Sequence, residues 1–169
     1  MKKVVLVIPP ERFRDEELFI TQEILEKNGF NVVIASTQTG RCPGSRGGFA
    51  TADMLIKDVN LEDSLAVVFI GGGGSTLLFN DDSAISLAKA AYAKNIVVAA
   101  ICLAPVILAN AGVLHGKNAT VAGTKAKLLE ENGAKYTGPS LTRDGKVLTA
   151  NAPKATTEFA TTLCEMLNG

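Results

Sequence analysis

Cys102 is the residue best placed for chemistry. It follows the apolar run at residues 96–101 and precedes Leu103-Ala104-Pro105, where a helix is expected to begin. Proline suits a first helical turn because its φ is fixed near the helical value and no N–H is needed there. A thiol on such a turn faces helix N–H groups and the positive end of a helix dipole. Both favour thiolate, the form that attacks electrophiles and is oxidised. The placement is that of a nucleophile elbow, although no G-x-S-x-G pattern is present. The competing role is that of a small buried hydrophobe, which free cysteine often fills.

Other groups could serve that sulfur. The run Gly71-Gly72-Gly73-Gly74 follows an apolar strand. Glycines there can turn the chain with positive φ and leave N–H groups open. An oxyanion hole, a phosphate cradle and a plain tight turn are the three readings. The phosphate motifs are incomplete, because no lysine follows the glycines and G-x-G-x-x-G is absent. Glu16 and Glu17 fall in the first turn of a helix, where acids are favoured by the dipole and are commonly solvated. If one faces inward beside Cys102, burial pushes it toward protonation. It can then bond the sulfur or shuttle a proton. His115, the single histidine, lies beyond the helix after Cys102, too far along the axis to be its base. One histidine and three scattered cysteines give no metal-ligand spacing, and no cofactor is implied.

The elements around these residues alternate. Strands are expected at residues 3–8, 31–35, 66–70, 96–101 and 119–122. Helices are expected at 15–28, 82–94, 105–111, 124–132 and 153–167, with Gly29, Gly112 and Gly133 as stops. Residues 36–52 read as a loop or hairpin, and 141–149 as a hairpin with an Asp-Gly turn. Such alternation implies a mostly parallel sheet with helices on both faces. Ligand sites in these sheets lie at the carboxyl ends of the strands. The ends that stand out are Gly71-Gly72, Cys102 and the segment around Asn151.

The 169 residues suit one domain, read as residues 1–169 with no internal boundary. With 47% apolar residues and 20% charged, disorder is excluded. Seventeen basic residues balance seventeen acidic ones, so nucleic-acid binding has no electrostatic support. No apolar run is long enough to span a bilayer. The segment Met1-Lys2-Lys3-Val4-Val5 is read as a first strand rather than a leader, because Pro9-Pro10 interrupts it early. Cys42, Cys102 and Cys164 form no C-x-x-C pair, which suits a reducing cytoplasm.

Four segments in order resemble the ThiJ/PfpI family, also called the DJ-1 superfamily. They are Phe13-Arg14-Asp15-Glu16-Glu17-Leu18, Phe69-Ile70-Gly71-Gly72, Ala100-Ile101-Cys102-Leu103-Ala104-Pro105 with Ala111-Gly112-Val113-Leu114, and Leu148-Thr149-Ala150-Asn151-Ala152-Pro153. The resemblance implies a flavodoxin-like sandwich, homodimeric or larger, with a reactive cysteine. Glu17 would be the protonated carboxyl on the sulfur, and Gly72 and Leu103 would supply oxyanion N–H groups. Gly71, Ala150, Asn151 and Pro153 would line the pocket, with Arg46 near a dimer contact. Two features depart from the family. Peptidase-like members carry a histidine after the cysteine, where this chain has Leu103. Others carry a histidine or tyrosine in the stretch corresponding to Ala119-Thr120-Val121-Ala122-Gly123. The expected partner is therefore a small electrophile or an oxidant. The expected function is weak glyoxalase or deglycase chemistry on reactive carbonyls, or redox sensing in stress. A cysteine peptidase, an amidotransferase and a non-enzymatic chaperone-like dimer rank lower.

Overall fold

A computed structural model describes residues 2–138 and 140–169. Met1, quoted above with the first strand, lies outside them.

The continuous apolar runs form the centre of a seven-stranded sheet. They are β1 (Lys3–Val7) and β2 (Asn31–Ser36), then β6 (Ser64–Phe69) and β7 (Val97–Ile101). Between β2 and β6 lie the hairpin β3 (Gly40–Pro43) and β4 (Phe49–Ala52), then the short β5 (Met54–Leu55). Later come β8 (Asn118–Ala119), β9 (Lys135–Tyr136), β10 (Leu141–Asp144) and β11 (Val147–Ala150). The sheet order is β10-β11-β7-β6-β1-β2-β5. All pairs are parallel except β10 with β11.

Period-two alternation explains the runs. Val4 and Leu6 of β1 face one core with Ala66, Val68, Ala99 and Ile101. Val5 and Val7 face the other core with Val67, Phe69, Val98 and Ala100. Both faces are covered, so the central positions are nearly all apolar. The first face is closed by α1 (Asp15–Lys27) and α5 (Thr156–Asn168) through Leu18, Leu25, Phe159 and Leu163. The second is closed by α2 (Asp82–Ala93), α3 (Pro105–Asn110) and α4 (Ala126–Glu131) through Leu87, Ile107 and Leu129. The expected α/β sandwich with helices on both faces is what the chain adopts.

Four local readings need correction. The strand expected at 119–122 is only β8, which pairs with β9 in a separate two-stranded sheet. The helix expected from Thr124 begins as a 3-10 turn, Gly123–Lys125. The quadruple-glycine segment runs on into a 3-10 helix, Gly73–Leu78, which has no apolar period to announce it. The hairpin turn is centred on Gly145-Lys146, not Asp144-Gly145, because Asp144 pairs with Val147. Gly145 has φ +61°, which suits a turn needing positive φ at its first central residue.

Candidate active site

The sheet order places β1 centrally. The chain moves from β1 to β2 on one side, then crosses to β6 and β7 on the other. Strand order reverses there, at the carboxyl ends of β1 and β6, the place where open sheets of this kind bind ligands. Three segments converge on it: the turn after β6, the start of α1 after β1, and Cys102 after β7.

Cys102 has φ +65°. A left-handed conformation costs a non-glycine residue roughly 1–2 kcal/mol. It is held by its own N–H to Ala150 O at 2.9 Å, and by Ala122 N–H to Cys102 O at 2.8 Å. Ala104 N–H donates to Ile101 O at 3.1 Å and closes the turn. The kink carries the side chain out of the strand, leaving the residue half-buried while Cys42 and Cys164 are buried.

Glu17 lies on the inner face of α1 and is fully buried. Its Oε1 accepts the Gly71 N–H at 2.9 Å. Its Oε2 is buried without a well-formed hydrogen bond, and the Cys102 thiol lies within reach of the carboxyl. Gly71 is glycine for space. A Cβ there would fall 2.5 Å from Ile101 O, 2.7 Å from Glu17 Oε1 and 2.8 Å from Cys102 Cβ. Gly72 has φ +112° and would drive a Cβ into the Arg12–Arg14 backbone. That close approach includes the bond from Arg14 N–H to Gly71 O at 2.9 Å, which fastens the turn to the start of α1.

Burial pushes the Glu17 carboxyl up to about 7, against the Gly71 and Cys102 hydrogen bonds and the Arg14 charge, which lower it. Burial first, and then the charge and hydrogen bond of Glu17, push the Cys102 thiol up to about 12. The Leu103 and Gly72 N–H groups act the other way, holding the sulfur's negative form. This corrects the expectation that the helix end makes Cys102 a thiolate by itself. The helix is only six residues long, Leu103 and Ala104 separate it from the cysteine, and desolvation outweighs the N–H groups. Thiol and carboxyl are one coupled unit. Its first proton leaves near 7 and its second far higher.

Of the other anticipated positions, Leu103 contributes its N–H, and Ala150 supplies the carbonyl that holds Cys102. Asn151 follows on, its N–H on Ser140 O at 3.1 Å and its Oδ1 buried without a partner. Pro153 opens the 3-10 turn Pro153–Ala155 beyond it. Arg46 stands farther out, exposed on the β3–β4 loop. Its N–H donates to Asp15 Oδ1 at 3.0 Å and its charge acts on Glu16. His115 is exposed beside Gly133. Val121, in the stretch where other members carry a base, is buried in the apolar core.

Sequence reasoning missed Arg14. Its Nε and Nη2 hold the two oxygens of Glu16, each at 2.8 Å. That bidentate hydrogen bond keeps Glu16 down at about 2, so it stays charged at pH values where its neighbour Glu17 is protonated. The Arg14 charge also reaches Glu17 and Cys102. An arginine two residues before a helix's acidic pair was the available signal.

The DJ-1/PfpI family profile matches residues 2–166. The chain belongs to the DJ-1/PfpI family. An uncharacterized protein of Methanocaldococcus jannaschii is 46% identical over 89% of this chain and 75% of its own length. A Pyrococcus horikoshii protein named a deglycase is 30% identical, over 88% of this chain and 90% of its own. A Caenorhabditis elegans protein named a glutathione-independent glyoxalase is 26% identical, over 99% and 90%. Among solved structures, a ThiJ/PfpI domain protein of Brachyspira murdochii superposes with TM-score 0.96 at 30% identity, covering 99% of this chain and 98% of that one. The flavodoxin-like fold expected from the resemblance is thereby shown. Among the described residues, no helix is long and apolar enough to cross a membrane.

Proposed function

We propose that this DJ-1/PfpI protein acts on small reactive carbonyls such as methylglyoxal, with Cys102 as nucleophile and Glu17 as its proton carrier. One observation carries the reading: the fully buried Glu17, fixed by the Gly71 N–H, lies within reach of the Cys102 thiol, which burial keeps protonated. As sulfur adds to the aldehyde carbon, the S–H proton passes to Glu17 and the carbonyl oxygen becomes an oxyanion. The Gly72 and Leu103 N–H groups are the donors available to hold it. Glu17 returns the proton to that oxygen, giving a hemithioacetal. Moving the hydrogen from C1 to C2, and the hydroxyl proton from the C1 oxygen to the C2 oxygen, gives a thioester. Water then releases lactate and regenerates the thiol, so methylglyoxal plus water balances lactate. A base near its working pH is efficient at such transfers, which typically gain 10²–10⁴ in rate. The relatives named deglycase and glyoxalase support the same substrate class. Without a histidine base the expected turnover is low. The leucine after Cys102 disfavours peptidase chemistry.

Lactate formed from methylglyoxal tests this. The wild type should produce lactate and Cys102→Ser only the uncatalysed background. Equal lactate from both would end the proposal.

Oxidation sensing is a second reading, favoured because Cys102 alone of the three free cysteines is partly exposed. Mild peroxide should then add two or three oxygens at Cys102 alone. Uniform oxidation of all three would contradict it.

The assembly we propose is a homodimer. Phe19 and Phe49 stand 38% and 49% exposed, and Phe19 lies against the backbone of Gly48 beside Phe49. Aromatic exposure of this kind marks contact surfaces. Phe49→Glu should halve the mass seen in sedimentation, and an unchanged mass would refute the contact. Three unpaired cysteines suit a reducing cytoplasm.

A further inference from the structure

A second cavity lies at the opposite end of the sheet. It is an open hollow bounded by the amino ends of β6 and β7, the turn of the β10–β11 hairpin, and the last turn of α5. Its volume is ≈ 510 Å³, within the ~300–1,000 Å³ of small-molecule sites. Lys2, Lys94, Arg143 and Lys146 line it, together with the apolar Val97 and Met166. No Asp or Glu side chain lines it. The four cations are exposed, and grouped around one hollow they make a local positive potential that favours an anion.

The backbone places these cations. Asn95, φ +61°, ends the turn after α2 and directs its carbonyl to Lys146 Nζ at 2.9 Å. Val98 N–H donates to Lys146 O at 2.9 Å and fixes the hairpin turn against β7. Two of the nearby acids are turned elsewhere, and a third, Glu62, pairs with Lys94. Asp144 accepts the Asn118 N–H at 2.8 Å, and Asp63 is paired with Lys3 at 3.2 Å. Glu62 reaches Lys94 only at 3.5 Å and is 81% exposed. Arg143 Nε meets only a carbonyl, that of Gly145 at 3.3 Å. Carbonyl oxygens accept these protons but leave the charges in place.

We infer that this cavity binds a small organic phosphate. Its phosphates would meet Lys94, Arg143 and Lys146, and its apolar body would lie on Val97 and Met166. Lysine point charges and the arginine fork both suit phosphate oxygens. The site is separate from Cys102, so the inference does not depend on the proposed activity.

Titration calorimetry of the full chain with ADP, pyrophosphate and adenosine tests it. ADP should bind with a dissociation constant below about 1 mM. Pyrophosphate should bind at least about tenfold more weakly, and adenosine undetectably. Raising salt from about 20 to about 200 mM should weaken ADP markedly. Lys94→Gln with Lys146→Gln should cost about tenfold or more, Arg143→Gln alone somewhat less, and Glu62→Gln should strengthen binding. Cys102→Ser should bind ADP as the wild type does. No ADP binding at millimolar concentration, pyrophosphate matching ADP, or unchanged affinity in both the double variant and Arg143→Gln would overturn the inference.

Discussion

The two ends of the parallel sheet handle charge and backbone strain differently. Each holds a non-glycine residue at positive φ: Cys102 at +65° on the carboxyl side and Asn95 at +61° on the amino side. Asparagine visits this region readily, whereas cysteine does not. The carboxyl end also buries an acid, while the amino end keeps its acids in solvent, as with Asp63 on Lys3. Strain and a desolvated charge sit together only where a reaction is proposed, as is common at functional sites. The amino end keeps ordinary surface electrostatics and a cationic hollow.

The contrast can be broken at several points. Gly71→Ala should be the most damaging, because its Cβ would meet Ile101 O, Glu17 and Cys102 at once. A loss of about 3 kcal/mol in denaturant melts is expected, along with loss of Cys102 reactivity. A fully stable Gly71→Ala would show that the turn has room to give.

A pH titration of stability comes next. Glu17 is raised to about 7 from an ordinary 4.5, so the folded chain binds more protons between those values. Its contribution is fully present below pH 4.5 and is lost as pH rises through 7. The loss is at most about 3 kcal/mol. Glu17→Gln removes the buried charge and keeps an acceptor for Gly71 N–H. It should flatten that slope and melt higher than wild type at pH 8. Equal melting temperatures at pH 8 would mean the carboxyl is not held in a desolvated site.

Smaller effects follow. Cys102→Gly should be more stable than Cys102→Ala by about 1 kcal/mol, since only the first relieves positive φ. At the amino end Asp63→Asn should change stability by less than about 0.5 kcal/mol, because its ion pair is exposed. If Asp63→Asn cost more than Cys102→Ala relative to Cys102→Gly, the contrast between the ends would be wrong.

Much of this was legible in the chain. The buried strands announced themselves as unbroken apolar runs, since both faces of a parallel sheet are covered. Cys102 and Gly71-Gly72 were found because strand ends and helix starts leave local marks. Glu17 could not be separated from Glu16 by local pattern; that took the family resemblance, because which carboxyl points inward is set by how α1 packs. The thiol's raised proton affinity was misread for a related reason. Dipole arguments are local, whereas desolvation depends on everything packed around the sulfur. Arg14 went unnoticed because its partner, Glu16, looked like an ordinary solvated charge. The cationic hollow was invisible, since Lys2, Lys94, Arg143 and Lys146 are distant in sequence and meet only through the strand order.

The central claim is that Cys102 and Glu17 titrate as one unit. The rate of Cys102 alkylation by iodoacetamide, followed from pH 5 to 10 in wild type and Glu17→Gln, tests it most directly. The wild-type rate should rise with a midpoint near 7, where the pair loses its first proton. In Glu17→Gln that inflection should vanish, leaving only the rise of the thiol's own ionisation at higher pH. A wild-type midpoint near 9, the ordinary thiol value, unchanged in Glu17→Gln, would contradict the account.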